Sequence, residues 1–407
     1  MKKNILVGQS GGPTAVINAS LCGVIRQGME QSSQIGRVYG MINGIEGFLS
    51  DHILDLSEEL SPDKLGLLRL TPAAYLGSCR YKLPEDLTAP VYGLLFEKME
   101  RLGIGAFFYI GGNDSMDTVD KLSRYSALHG IEISVIGIPK TIDNDLVETD
   151  HTPGFGSAAK YVASTVREIV LDSSVYQQKS VTIIELMGRH AGWVTAASAL
   201  ARKYPGDNPV LIYLPERPFD LETFAGDLEN ALKARSSVVV CVSEGIRDSR
   251  GAFICEHADA APLDTFGHKM LTGCGKILEN FVRSRFGVKV RSVELNVNQR
   301  CSAMMASATD LDEAEQAGRF GVLSALEGHT GKMVSFQRIL GDSYSIACAL
   351  KDVSAVCNLE KPFPKAWISA SGCDVEPDFL EYALPLIQGE PQRTMKDGLP
   401  VFLERRK

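Results

Sequence analysis

Apolar runs that read as buried strands alternate with helical patterns along most of this chain, and that alternation restricts its fold more than any other feature. Strand-like runs cover 5–7, 37–40, 106–110, 133–138, 181–186, 210–214, 237–242 and 290–297. Helical patterns cover about 14–28, 156–171, 191–201, 221–234, 270–286 and 301–317, and the runs ending at Ile110 and Ile138 also lead into helical patterns. Strand followed by helix, repeated, predicts an α/β protein with mainly parallel, doubly wound sheets. A chain of 407 residues is too long for one such sheet, so two domains are expected. We see no internal repeat and no low-complexity segment.

Composition narrows the class. The chain is 44% apolar and 23% charged, ordinary for a globular protein, and no apolar run approaches the roughly 18 residues of a membrane span. Lys2-Lys3 before Ile5-Leu6-Val7 superficially resembles a signal peptide. The apolar stretch is too short and runs straight into a Gly-rich loop, so it reads as a first strand and the cytoplasm is the expected compartment. The nine cysteines include no C-x-x-C pair, which suits buried, reduced thiols. A net charge of −8 argues against nonspecific nucleic-acid binding but leaves room for a local cluster of Arg and Lys around a small anion. After Leu359 the prolines crowd together. We expect that tail to wrap over the core or an interface, and assign it no chemistry.

The chemistry-bearing residues gather at the ends of the strands, where open α/β sheets bind ligands. Gly11 and Gly12 follow the first strand, and Gly111-Gly112-Asn113-Asp114-Ser115 follows another, so backbone N–H groups can approach a phosphate there. No G-x-x-x-x-G-K-[ST] is present, which excludes the P-loop. Gly154-Phe155-Gly156 mimics a dinucleotide fingerprint but follows a charged loop instead of a strand. Pro139-Lys140-Thr141-Ile142-Asp143-Asn144-Asp145 crowds an ammonium and two carboxylates into one turn, more charge than solubility requires. Met187-Gly188-Arg189-His190 ends a further strand, where an Arg can reach a phosphate. Glu244, again at a strand end, can accept hydrogen bonds from sugar hydroxyls. Arg80, Arg291 and Arg300 supply cations for an anionic substrate.

The ordered set GGPTAVIN, LGSCR, GGNDS, PKTIDND, TPGFGSA, MGRHAG, SEG and QR resembles the phosphofructokinase family over about residues 4 to 320. The resemblance implies two Rossmann-like domains with the active site in the cleft between them. It implies a Mg²⁺-assisted, reversible phosphoryl transfer of glycolysis to the 1-hydroxyl of fructose 6-phosphate by a homodimer or homotetramer. On it, 1–154 with about 300–350 would bind the donor, about 155–299 the sugar phosphate, and about 351–407 would be an extension. Asp143 resembles the base that takes the hydroxyl proton. Thr141, Ile142 and Asp145 would frame the sugar, Met187, Gly188 and Arg189 would grip it, and Glu244 would bind its hydroxyls. Arg291, Arg300 and the pocket position Val297 fall where the 6-phosphate would be held. Gly11, Gly12, Arg80, Gly112, Asp114 and Lys140 would face the donor, and Asn113 falls where many members place an aspartate that binds Mg²⁺.

Two positions bear on the donor. ATP-using members resemble G-G-D-G-[ST] and P-G-T-I-D-N-D; this chain has Asp114 and Lys140 in place of those glycines, as in the pyrophosphate-dependent branch. A carboxylate at 114 stands where a nucleotide α-phosphate would lie, and two like charges about 4 Å apart at an effective dielectric near 20 repel by roughly 4 kcal/mol. Lys140 would stabilise the phosphate transferred or released. The alternatives are an ATP-dependent enzyme, a catalytically silent sugar-phosphate sensor, and a nicotinamide oxidoreductase, the last lacking a fingerprint after the first strand. A seven-carbon ketose phosphate is a further candidate acceptor. Three departures from the family pattern stand out: Asn113, Val297-Asn298 before Gln299-Arg300, and Ser180 where an Arg is often lent across a subunit boundary, with Lys179 beside it.

Overall fold

A computed structural model describes residues 2–257, 273–341 and 343–405. In chain order the main strands are β1 (Lys3–Gln9), β2 (Ile35–Met41), β3 (Ile53–Asp55), β4 (Ile104–Gly111), β5 (Ser134–Pro139), β6 (Ser180–Leu186), β7 (Leu211–Tyr213), β8 (Ser237–Ser243), β9 (Lys289–Glu294), β10 (Lys332–Arg338) and β11 (Ile346–Asp352). They form two sheets: one of seven strands in the order β11-β10-β5-β4-β1-β2-β3, one of four in the order β7-β8-β6-β9. The second is wholly parallel; in the first only the edge pairs β2–β3 and β10–β11 are antiparallel.

The period of two explains why the central strands look continuously apolar. In β4, Ala106, Phe108 and Ile110 pack on one face of the sheet and Phe107 and Tyr109 on the other. Full burial of such side chains contributes roughly 1.5–3 kcal/mol each. Helices α1 (Ile17–Glu30), α2 (Asn113–Leu128), α3 (Phe155–Ser173) and α4 (Ala308–Leu326) carry the strand-end loops into the core. α1 and α4 touch backbone to backbone: a Cβ on Gly23 would lie 2.0 Å from the Glu315 carbonyl oxygen, and one on Gly318 2.1 Å from that of Ser20. A side chain at either position would push the helices apart.

Several boundaries differ from expectation. The last predicted helix was placed at 301–317, whereas α4 starts at Ala308, because the Ser307 side chain caps it by accepting the Asp310 N–H. The strand predicted over 290–297 ends at Glu294, and Asn296 turns the chain with a positive φ of 45°. Regular structure does not stop there: β10 and β11 return the chain to the edge of the first sheet. The helix expected over 270–286 is described from Cys274 to Phe286; its first residues lie outside the described segment. Among the described residues no helix is long and apolar enough to cross a membrane. All nine cysteines are free.

Candidate active site

The carboxyl ends of the two sheets open into one cavity of about 690 Å³. In the first sheet, strand order reverses at β1, whose neighbours are β4 and β2; loops diverge at such a point and leave a crevice. Gly11 and Gly12 from the end of β1, Gly112, Asn113 and Asp114 from the end of β4, and Lys140, Thr141, Ile142, Asp143 and Asp145 from the end of β5 all line it. From the second sheet come Met187 and Arg189 after β6 and Glu244 after β8; Arg300 follows β9.

Each group is held by its own local chemistry. Lys140 is 3% exposed; its ammonium donates to the Gly12 carbonyl at 2.5 Å, and its N–H donates to that of Gly111 at 2.9 Å. Burial lowers its pKa to about 8 against the pull of Asp143 and Asp145. The Thr141 hydroxyl accepts the Asp143 N–H at 3.1 Å, which closes the turn that presents the carboxylate. Burial, then the neighbouring Asp145, raises Asp143 well above the ordinary carboxylate range, opposed by Lys140 and Arg189. Burial also raises Asp145, and Glu360 adds to that rise. Glu244 is raised to about 8, first by burial and then by Asp143, while the Gly188 N–H it accepts at 3.4 Å works the other way.

The loop after β6 is fixed from β8 and from the Gln-Arg pair. Buried Gln299 accepts the Met187 N–H at 3.1 Å, and the Ser243 hydroxyl donates to the Gly188 carbonyl at 2.6 Å. Arg189 then lines the cavity, and its buried Nε–H has no hydrogen-bond partner. Buried donors are rarely left so, and an anion in the cavity would satisfy this one.

Not every expected residue lines the cavity. Asn113 does, and its amide accepts the Asn358 N–H and donates to the Leu359 carbonyl, bracing the C-terminal segment. Arg291 pairs in register with Thr182, near the start of β6, so it stands exposed on edge strand β9 away from the cavity. Val297 is exposed and outside the lining. Gly188 is also outside it, one residue behind Arg189. Ser180 and Lys179 lie at the opposite, amino end of β6. Arg300 does reach the cavity, but against the donor loop: a Cβ on Gly12 would be 3.3 Å from its Nη1.

The GFGSAA segment is no phosphate site. Asp310 accepts the N–H groups of Gly154 and Ser157 at 2.9 and 2.8 Å, so a carboxylate of the protein itself sits at the start of α3. Gly154 has a φ of 112° and would bring a Cβ to 3.0 Å from Thr14 and from the Thr141 carbonyl, so it must be glycine.

Sequence reading missed two charged groups in the lining. Lys82 pairs with Asp114 at 3.3 Å, and its position two residues after Arg80 was the available signal. Glu360, from the tail expected to carry no chemistry, faces the cavity with Asn358 and Leu359, and no sequence spacing connects it to the strand ends.

Comparison with known proteins agrees with this geometry. The family described as Phosphofructokinase matches residues 4–312. The pyrophosphate–fructose 6-phosphate 1-phosphotransferase of Halomonas elongata is 40% identical over 98% of this chain and 94% of its own length. That of Methylococcus capsulatus is 38% identical over 98% and 95%. The crystal structure of a pyrophosphate-dependent phosphofructokinase from Nitrosospira multiformis superposes with a TM-score of 0.89 at 37% identity, covering 99% of this chain and 96% of that one. With its motifs, its two sheets and its near-complete relatives in agreement, this chain belongs to the phosphofructokinase family.

Proposed function

We propose that this protein transfers a phosphoryl group from pyrophosphate to the 1-hydroxyl of fructose 6-phosphate, giving fructose 1,6-bisphosphate and phosphate. The observation that carries the reading is the buried Lys140 ammonium, bonded to the Gly12 carbonyl and attracted by the Asp143 carboxylate, at the position where the ATP-using pattern has glycine. Asp143 accepts the proton of the 1-hydroxyl as its oxygen bonds to the terminal phosphorus. The bridging P–O bond breaks, and the departing phosphate takes that bonding pair. Lys140, Arg189 and Arg300 surround the charge that moves. Burial makes Lys140 the most effective of the three, because water screens it least, while Arg189 and Arg300 are half-buried. Glu244 accepts hydrogen bonds from the sugar, and Thr141 and Asp145 shape its pocket.

Mg²⁺ fits the cavity as a companion of the donor. Among the described residues no group of three or more His, Cys, Asp and Glu is placed to hold a metal ion. Asp145, beside the base, offers a hard carboxylate oxygen of the kind Mg²⁺ takes in ones and twos alongside phosphate oxygens. When bound, the ion neutralises charge on the phosphates. Mg²⁺ should therefore bind weakly to the free protein and tightly with pyrophosphate, which calorimetry resolves. We expect the assembly to be a homodimer or homotetramer in the cytoplasm.

The test incubates the protein with fructose 6-phosphate, Mg²⁺ and pyrophosphate and counts both products. One phosphate released per fructose 1,6-bisphosphate formed supports the reading. Release of two phosphates without bisphosphate, or no turnover, contradicts it.

A further inference from the structure

The C-terminal segment grips the base-bearing loop at the two residues that follow Asp143. The first is Asn144, fully buried and in the left-handed conformation with φ 54°. Its Nδ2 donates to the Tyr382 hydroxyl at 3.0 Å, and that hydroxyl donates to the Asp150 carbonyl at 2.8 Å. At the next residue the Asp145 carbonyl accepts the Lys361 N–H at 2.6 Å. The Lys361 ammonium donates to the carbonyls of Thr149 and Asp150 at 3.1 and 2.9 Å, and the Lys361 carbonyl accepts the indole N–H of Trp193.

Both gripping residues are themselves immobilised. The Tyr382 ring lies 5.5 Å from that of Trp193 and 5.2 Å from that of Trp367, with the Arg338 guanidinium 4.6 Å away. The segment just before Lys361 is pinned to both halves of the cavity. Asn113 of the donor loop bonds Asn358 and Leu359, and Glu360 meets His190 of the sugar loop at 3.2 Å. A left-handed non-glycine residue in a loop persists when its surroundings over-determine it. Here the over-determination comes from two directions: the Asn144 Oδ1 accepts the nearby Thr152 N–H at 3.0 Å, and its Nδ2 donates to Tyr382, over two hundred residues away in sequence.

We propose that Tyr382 and Lys361 are positioning residues of the phosphoryl-transfer site, fixing the two residues that follow Asp143, Asn144 through its side chain and Asp145 through its main chain, and so setting where the base meets the sugar hydroxyl. The proposal rests on the reading of Asp143 as the base. A reacting group displaced by about 1 Å can lose up to roughly a hundredfold in rate. Loss of one neutral hydrogen-bonding hydroxyl corresponds to about threefold to tenfold.

The test measures kcat and both KM values for Tyr382→Phe, Lys361→Met, Asp143→Asn and the doubles pairing each of the first two with Asp143→Asn. Tyr382→Phe keeps the ring and its packing and removes only the hydroxyl. Its kcat should fall about threefold to tenfold while the KM for fructose 6-phosphate stays within about twofold. In the Asp143→Asn background the same change should cost nothing further, because the group it positions is already gone. A purely structural role would repeat the loss in that background. Additive losses, or an unchanged kcat in the single variants, overturn the proposal. Lys361→Met should show the same non-additivity and decides the matter if Tyr382→Phe fails to fold. Failure of the base reading would show separately, as Asp143→Asn turning over at the parent rate.

Discussion

The loops after β4 and β5 stand on adjacent strands of one sheet, yet one is wet and the other dry. Lys140 is 3% exposed, and the turn it opens is closed by Thr141 and gripped at Asn144 and Asp145. Asp114 has a 56% exposed side chain and pairs with Lys82, itself 58% exposed. The same Coulomb law gives different answers in the two places. Repulsion of roughly 4 kcal/mol at an effective dielectric near 20 falls to about 1 kcal/mol in bulk water. An exposed partner such as Lys82 offsets part of what remains. The chemistry therefore belongs to the dry loop, where charge is amplified. On the proposed function, Asp114 would discriminate between donors chiefly by occupying space, and only as part of a unit with Lys140.

The largest effects should come from the dry loop. Asp143→Asn should lower kcat by roughly 10²–10⁴ with sugar binding changed far less. A kcat within a few-fold of the parent would remove Asp143 from the role of base and erase the contrast. Lys140→Gly should lower kcat with pyrophosphate by roughly 10²–10³ without making ATP a good donor, the scale expected on losing a preorganised charge at the transferring group.

In the wet loop the changes should be smaller. Asp114→Gly should raise kcat/KM for ATP by up to about tenfold while pyrophosphate activity falls but persists. The gain should shrink as salt is added, because exposed charges are screened. Only the double change with Lys140→Gly should favour ATP, since groups sharing one ligand are not additive. No gain with ATP in Asp114→Gly would move the exclusion to the Gly12 loop or to Asn358 and Leu359 beside Asn113.

The smallest effect to resolve is the pH dependence. Asp143 must be ionised and is raised, so kcat/KM should rise with pH through a value above the ordinary carboxylate range. Lys140 must be protonated and is lowered, so activity should fall again as pH passes about 8. An acid limb near the usual carboxylate value would show that Asp143 is wetter than the cavity implies.

The same contrast explains what could be read from sequence. Strand-end loops announce themselves because an apolar run, a glycine and a charge fall within a few residues, and Lys140, Asp143, Arg189 and Glu244 were found that way. Contacts between distant segments leave no such trace. The family pattern singled out Asn113, but its bonds to Asn358 and Leu359 were not legible, because those residues lie in a tail with no readable period. Periodicity gives a strand's existence, while only the pairing of Arg291 with Thr182 shows how far it stands from the cavity of its own chain. β10 was missed because apolar and polar residues mix along it without a clean alternation, and β11 although it opens on the apolar run Ile346–Leu350.

The most direct test of the account is kcat/KM of the unmodified protein for pyrophosphate and for ATP, each with fructose 6-phosphate and Mg²⁺. Lys140 in the dry loop and Asp114 in the wet one together predict at least about a hundredfold preference for pyrophosphate. Comparable values for the two donors would contradict it.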